Sequence, residues 1–403
     1  MRNRIALVAL LLGCAAPAAA QVGAPLLGGA VRQVLGAVGG LADPAVRSTE
    51  RLLADAETLA RARMERLAEL VRRNRATIER DAAGAPARKG ELLLLEPGED
   101  ELAKAREAGF TPLGRETMGE LGIAVERLAV PPGLPLARAE ALLHSRLPQA
   151  TLAADTLHEP AGSIAGAAAG APPAIGTIET PVGLIDGGAG VGLSATVRGF
   201  ARGAPRPSDH GSATASLLAG AGVRHIYLAD VYGADPAGGN ALAIARALDW
   251  LVGAGVKVVS ISLVGPDNPV VDRAVAAARR RGAVVVAAVG NDGPAAPAAY
   301  PASFPGVLAV TGVDGRNRAL IEAGRALHLD YAAPGADMLA MDQRGRWRRV
   351  RGTSFAAPLA AARAAAAWPA GNATATLDRE ARPLGNPALY GRGLLCGECR
   401  RVR

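Results

Sequence analysis

The chain has 403 residues, half of them apolar and only 3% aromatic. That length allows two or three domains with a large core, here built mainly from alanine, glycine and valine. The net charge of +8 is carried almost wholly by arginine, since Lys89, Lys104 and Lys257 are the lysines. Because the arginines are scattered or sit beside glutamates, and rings for base stacking are nearly absent, nucleic acid is not expected as a partner.

The N-terminus reads Met1-Arg2-Asn3-Arg4, then an apolar run over 5–12, then Ala18-Ala19-Ala20 before Gln21. A basic start, a short apolar run and small residues before a cut predict a signal peptide over 1–20, hence an exported protein, periplasmic or secreted. A competing pattern, Leu11-Leu12-Gly13-Cys14, is that of a lipoprotein signal with the lipid on Cys14. No later run of 18 residues is both apolar and free of charge, so no transmembrane segment is expected. Residues 21–42 form a Gly/Ala-rich segment with little periodicity.

Asp43-Pro44 is a helix-start pair, and a charged amphipathic helix is predicted over 43–82. Its stripe runs Leu53, Ala60, Met64, Leu67, Val71 and Ile78, too narrow to bury itself, so it acts as a spacer or docks on the rest of the protein. After a Gly/Ala/Pro break at 83–87, strands are predicted at 91–96, 111–117, 122–130 and 150–156, with helices at 100–108 and 135–147. The order β-α-β-β-α-β is the split ferredoxin-like arrangement, a small α+β domain over 90–160. Residues 161–176, rich in Ala and Gly, read as a flexible exposed linker.

Beyond the linker, charge-poor runs at 182–185, 226–231, 256–263, 283–289 and 307–310 alternate with helical stretches such as 240–252 and 268–281. Buried strands alternating with helices predict a parallel sheet covered on both faces. Asp186 ends the first of these runs, and carboxyl ends of parallel strands are where α/β proteins place sites. The glycines after it, Gly190-x-Gly192-x-x-Ala195, loosely match a dinucleotide fingerprint, but Thr196 to Pro205 will not make the helix that fingerprint needs.

His210 opens Gly211-Ser212-Ala213-Thr214-Ala215, small residues that let a helix begin at the histidine and pack closely. Asn291 lies in Val289-Gly290-Asn291-Asp292-Gly293, after a buried run, where its amide can donate to an oxyanion. Ser354 lies in Gly352-Thr353-Ser354-Phe355-Ala356-Ala357-Pro358, at or just before the start of an alanine-rich helix. Backbone N–H groups and the dipole there favour developing negative charge. Each stretch alone also has a plain structural reading: a cap, a turn, a packed histidine.

Together, the order Asp186, His210, Asn291, Ser354 resembles the subtilisin-like serine peptidases (subtilases), over about 177–395. Ser260-Ile261-Ser262-Leu263-Val264-Gly265, Tyr300-Pro301-Ala302, Ala333-Pro334-Gly335 and Tyr390-Gly391-Arg392-Gly393 match as well. The resemblance implies a subtilisin-like parallel sheet with helices on both faces, preceded by a propeptide domain and a helical N-terminal segment. It implies that Ser354 is the nucleophile, His210 its base and Asp186 the group that orients the imidazole, with Asn291 in the oxyanion hole. Residues 260–265 then pair with substrate backbone. The partners are polypeptide substrates and the chain's own propeptide, an intramolecular chaperone and inhibitor removed by self-cleavage within about 157–176.

The sequence also departs from the family pattern. Gly187 replaces Ser or Thr after the aspartate, Val264 replaces a glycine in the substrate-binding segment and Leu359 replaces a histidine after Pro358. The resemblance leaves room for structural calcium, but no ligand loop is recognised, and no cofactor or metal site is expected. In the basic tail 396–403, Cys396 and Cys399 read as a local disulfide in an exported chain, a zinc site needing two more ligands nearby. A second reading keeps the fold without chemistry: a catalytically silent, subtilase-shaped binding or structural protein.

Overall fold

A computed structural model describes residues 44–167 and 175–400. The expectations for the signal peptide, Cys14 and the Gly/Ala-rich segment fall on residues outside these, as do part of the predicted linker and the last three residues. Among the described residues no helix is long and apolar enough to cross a membrane.

The N-terminal helix α1 spans Pro44–Arg73, shorter than predicted. Asn74 turns the chain by donating its side-chain amide to Leu70 O, and the chain then enters a short strand, β1 (Ile78–Arg80). Leu67 is buried, and Leu70 and Val71 pack against Ile78, Leu157 and Ala237, so this part of the helix docks. Met64, counted in the apolar stripe, is exposed.

The small domain continues as β2 (Pro86–Leu95), α2 (Glu99–Glu107), β3 (Thr111–Met118), β4 (Ile123–Ala129), α3 (Leu136–Arg146) and β5 (Thr151–Thr156). β2 lies between β4 and β5 and β3 joins the far edge of β4, all antiparallel. The run Leu92-Leu93-Leu94 does not alternate in polarity because both faces are covered. Leu92 and Leu94 pack on Leu102, Leu136 and Leu143 of the domain's own helices, while Leu93 faces the other way into the larger domain.

The first part of the predicted linker is paired rather than free, although Gly162, Ser163, Ala165 and Gly166 are exposed. β6 (Glu159–Pro160) and β7 (Ser163–Ala167) both pair with the larger domain. That domain comprises β8 (Val182–Asp186), β9 (Thr196–Gly199), α4 (Asp209–Gly220), β10 (Ile226–Asp230), α5 (Ala241–Gly253), β11 (Val258–Ile261), β12 (Leu263–Val264) and α6 (Pro269–Arg280). It continues with β13 (Val284–Ala288), β14 (Leu308–Val313), β15 (Tyr331–Pro334), β16 (Met338–Met341), β17 (Trp347–Arg351), α7 (Thr353–Ala367) and α8 (Ala373–Glu380).

Seven strands form one parallel sheet in the order β15-β14-β13-β11-β8-β10-β9. Its central strands are largely apolar, save Ser260 and the strand-ending Asp186 and Asp230, because α5 and α6 cover one face and α4 and α7 the other. In α7 every residue is buried except Arg363 and Ala366. Alanine serves there because the helix runs close against β11, β13, β14 and β15, and larger side chains would overpack that space. Arg363 escapes to a two-bond ion pair with Glu380 at 2.6 and 3.0 Å. Near the C-terminus Cys396 and Cys399 are joined as a disulfide.

Candidate active site

Asp186 closes β8, with its carboxylate fully buried. Burial of a charge is tolerated only when its lone pairs are used. Here Oδ1 accepts the Gly187 N–H at 2.7 Å, Oδ2 accepts the Thr214 hydroxyl at 3.1 Å, and both oxygens lie 2.9 Å from His210 Nδ1. Thr214 was not anticipated from the sequence, although it lies one helical turn after His210 and so on the same face.

His210 reaches the carboxylate because α4 begins hard against the loop after β8. Ser208 caps the helix, its Oγ accepting the Gly211 N–H at 3.0 Å. A Cβ on Gly211 would collide with Gly187 O, and one on Gly187 would collide with Ser208 Oγ. Gly187 is therefore fitted to this cap, which gives a physical reason for its departure from Ser or Thr. His210 Nε2, the ring nitrogen turned away from Asp186, is buried without a hydrogen-bond partner.

Ser354 sits in the first turn of α7, with Gly352 before it at φ +142°. That backbone favours glycine, and space demands it too. A Cβ on Gly352 would stand 2.6 Å from Asn291 Nδ2, 2.6 Å from Gly162 Cα and 2.8 Å from Ala161 O. Asn291 is held by its Oδ1, which accepts the Thr353 N–H at 3.0 Å. Its amide nitrogen thus shares the space over Gly352 with the Ala161 carbonyl. The Ser354 hydroxyl donates to Ser262 O at 2.9 Å rather than to His210.

The chain itself runs through this site. β6 pairs antiparallel with β12, Leu263 opposite Pro160 and Val264 opposite Glu159. The Ala161 N–H points at Ser262 O at 3.4 Å, and Ala161 O accepts the Ser354 N–H at 3.0 Å. Ala161 is buried. Just beyond, a Cβ on Gly162 would lie 2.5 Å from the Phe355 ring, whose centroid is 5.3 Å from that of His210. β7 then joins β17. The carbonyl of one peptide bond, Ala161–Gly162, is therefore presented to the backbone N–H of Ser354 in the first turn of α7.

Upstream, the His158 ring is buried with neither nitrogen hydrogen-bonded. Its backbone is held at both ends: His158 N–H donates to Gly239 O at 2.8 Å and Tyr232 Oη donates to His158 O at 2.7 Å. The ring lies where a Cβ of Gly265 would be, 2.5 Å from its Cδ2. Burial pushes its pKa down to about 4.

Of the predicted strand 260–265, Ser260 and Ile261 lie inside the buried β11 and Leu263 is also buried. The contacts to β6 come instead from Ser262 O, the Leu263–Val264 ladder and the bare Cα of Gly265. The Val264 methyls lie 3.3 and 3.5 Å from the Cβ position of Gly290, across the gap beside Ala161. A cavity of about 230 Å³ opens there, lined among others by Ala161, Val264, Asn291, Asp292, Glu322 and Arg351. A larger one of about 590 Å³ between the small domain and α5 contains none of the four site residues.

Among the described residues the one group of three clustered metal-capable side chains is Cys396, Glu398 and Cys399, and its two sulfurs are bonded to each other.

The comparisons with known proteins agree with this geometry. A profile of the Subtilase family matches residues 201–381, a span holding His210, Asn291 and Ser354 and starting after Asp186. Subtilisin BL from Lederbergia lenta is 30% identical over 240 residues, which is 54% of this chain and 88% of that protein. The chain belongs to the subtilase family. This subtilase is also 30% identical to M-protease from Shouchella clausii, over 54% of its own length and 63% of the relative's. Among solved structures it is similar to fervidolysin from Fervidobacterium pennivorans, described as a keratinolytic enzyme related to subtilisin. The TM-score is 0.61 at 15% identity, covering 78% of this chain and 61% of that one. The fold expected from the sequence, a subtilisin-like sheet after an α+β region and an N-terminal helix, is the fold observed.

Proposed function

We propose that the protein is an exported serine endopeptidase made as a zymogen, whose first substrate is its own Ala161–Gly162 bond. One observation carries the reading. The Ala161 carbonyl oxygen lies 3.0 Å from the Ser354 N–H while its strand is paired with β12, which is how an oxyanion hole meets a substrate.

In the reaction, Ser354 Oγ leaves Ser262 O and attacks the Ala161 carbonyl carbon, giving its proton to His210 Nε2. Asp186 fixes the tautomer with the proton on Nδ1 and stabilises the imidazolium. The negative charge on Ala161 O is met by the Ser354 N–H and the Asn291 amide. The imidazolium then protonates the Gly162 nitrogen as the C–N bond breaks, leaving an Ala161 ester on Ser354. Water, deprotonated by the same imidazole, hydrolyses the ester. Unfolded polypeptides enter by the same strand pairing once residues up to Ala161 have left. By this assignment 90–160 is the core of the propeptide and the domain boundary falls within the predicted 161–176 segment.

The test is intact mass of the exported protein, with and without a serine-directed fluorophosphonate. The expected product is a domain beginning at Gly162 or trimmed beyond it, carrying one adduct, and absent in Ser354→Ala. A full-length chain that never cuts and never labels would overturn the proposal in favour of a catalytically silent protein of the same fold.

A further inference from the structure

α1 does more than dock on the small domain. Arg63 Nε lies 3.0 Å from Asp292 Oδ2, and Arg66 Nη2 lies 2.9 Å from Asp292 Oδ1 and 3.3 Å from Glu159 Oε2. Leu59 sits against the next residue, so that a Cβ on Gly293 would stand 2.9 Å from Leu59 Cδ1. Asp292 directly follows Asn291. The helix therefore grips the loop that carries the proposed oxyanion donor and the strand that occupies the cleft. Of the other acidic groups of this rim, Glu322 is paired with Arg351 at 2.7 Å and Glu159 with Arg66, and the Asp292 carboxylate meets the helix.

We propose that Asp292 is the docking point at which the N-terminal helix locks the cleft, so that the cut pro-region stays bound as an inhibitor until this contact opens. The proposal rests on the peptidase reading above. Cutting Ala161–Gly162 leaves α1 and Glu159 together on the N-terminal product, with Asp292 on the other. The Arg66–Glu159 pair then holds the product together internally, while Arg63–Asp292 and Arg66–Asp292 tie it to the enzyme. β6 alone offers a ladder of two residue pairs. Two guanidiniums on one carboxylate that is 19% exposed add to that hold, in a manner that salt weakens.

Two measurements on the full-length chain test it. In the first, bond scission is followed by mass and hydrolysis of a labelled unfolded protein is followed in parallel. Arg63→Ala/Arg66→Ala should cut at the parental rate but shorten the lag between scission and activity several-fold, about 3- to 10-fold for two such pairs. An unchanged lag with unchanged scission overturns the lock and leaves the peptidase reading standing. A parental chain that never cuts overturns the peptidase reading and the lock's inhibitory role with it.

The second measurement needs no catalysis. In Ser354→Ala, trypsin should cut after Arg63 and Arg66 slowly, and several-fold faster when Asp292→Asn is added. Equal rates overturn the docking itself.

Discussion

The two largest β-sheets among the described residues, one of five strands and one of seven, are held by different forces. The seven-stranded sheet is closed by apolar side chains on both faces, with alanine letting α7 lie close. The small domain adds an apolar patch, Leu93, Met118, Ile123 and Val125, to that core, but rims it with polar groups. Asp155 Oδ1 accepts the Leu242 N–H at the start of α5 at 3.0 Å, and Asp249 accepts the Leu121 N–H at 3.0 Å. The Asn268 amide, at the start of α6, donates to Ala154 O and Thr156 Oγ1 at 3.0 and 2.9 Å. Apolar closure is insensitive to pH and weakly sensitive to salt, whereas capped helix ends and buried ion pairs respond to both. In the proposed reading, the seven-stranded sheet stays and the five-stranded one is released.

Substitutions on the two sides should therefore separate. On the protease side they decide whether the bond is cut. Ser354→Ala should abolish self-cleavage and lower turnover by about 10⁶-fold, read from the mass of the chain and from hydrolysis of unfolded protein. Asn291→Ala should slow the cut by about 10²- to 10³-fold without stopping it. A loss as large as that of the serine variant would mean that Asn291 holds the fold, through Thr353, rather than the oxyanion.

On the pro-region side substitutions change how firmly the cut product stays. The His158 pKa falls to about 4 on burial, so its contribution is complete above the free value of 6.5 and is lost as pH falls toward 4. Asp155 is raised to about 6, chiefly by burial, with the Leu242 N–H and Arg88 opposing. Its contribution is complete below the free value of 3.8 and is lost as pH rises through 6. The two slopes oppose each other between pH 4 and 6, so retention of the product should change little across that window. In Asp155→Asn retention should fall steeply on acidification below pH 6.5, and in His158→Leu it should rise. Size exclusion of the cut protein at a series of pH values reads this, and parallel curves in all three proteins would show that neither group is linked to release.

The smallest effect is expected at Asn268, which caps α6 as well as reaching the small domain. Its replacement by Ala should cost about 1–2 kcal/mol of stability in the uncut chain, measured by the denaturant midpoint of Ser354→Ala. The released domain should lose only the capping share.

Much of this architecture was legible in the sequence, because the features concerned are local. Charge-poor apolar runs marked five of the seven parallel strands but not Thr196–Gly199 or Tyr331–Pro334, and Asn240 and Asn268, which open the predicted helical stretches, are caps. The structure joins Asp186 to His210 directly and brings Asn291 to the Ser354 turn through Thr353 and Gly352. What escaped depends on pairing across the fold. The Ala/Gly-rich stretch after Pro160 reads as a linker because its residues carry no side-chain signal. Smallness is what the site requires there, since Gly162 must clear Phe355 and Gly352. The exposure of Met64 and the roles of Arg63 and Arg66 depend on partners distant in sequence, such as Glu159 at a separation of 93 from Arg66. No periodicity along the helix itself encodes those partners.

The cleft is assembled from pieces that lie far apart along the chain. Asp186 ends β8, His210 begins α4, Asn291 comes after β13 and Ser354 begins α7, so the candidate site exists only when four separated stretches have assembled around one sheet. The bond at Ala161 is presented only when β12 is in place to receive β6. Under the proposed self-cleavage, scission would report on assembly: a misfolded copy would keep its bond intact, and the molecule would inspect its own construction before becoming free to act on anything else.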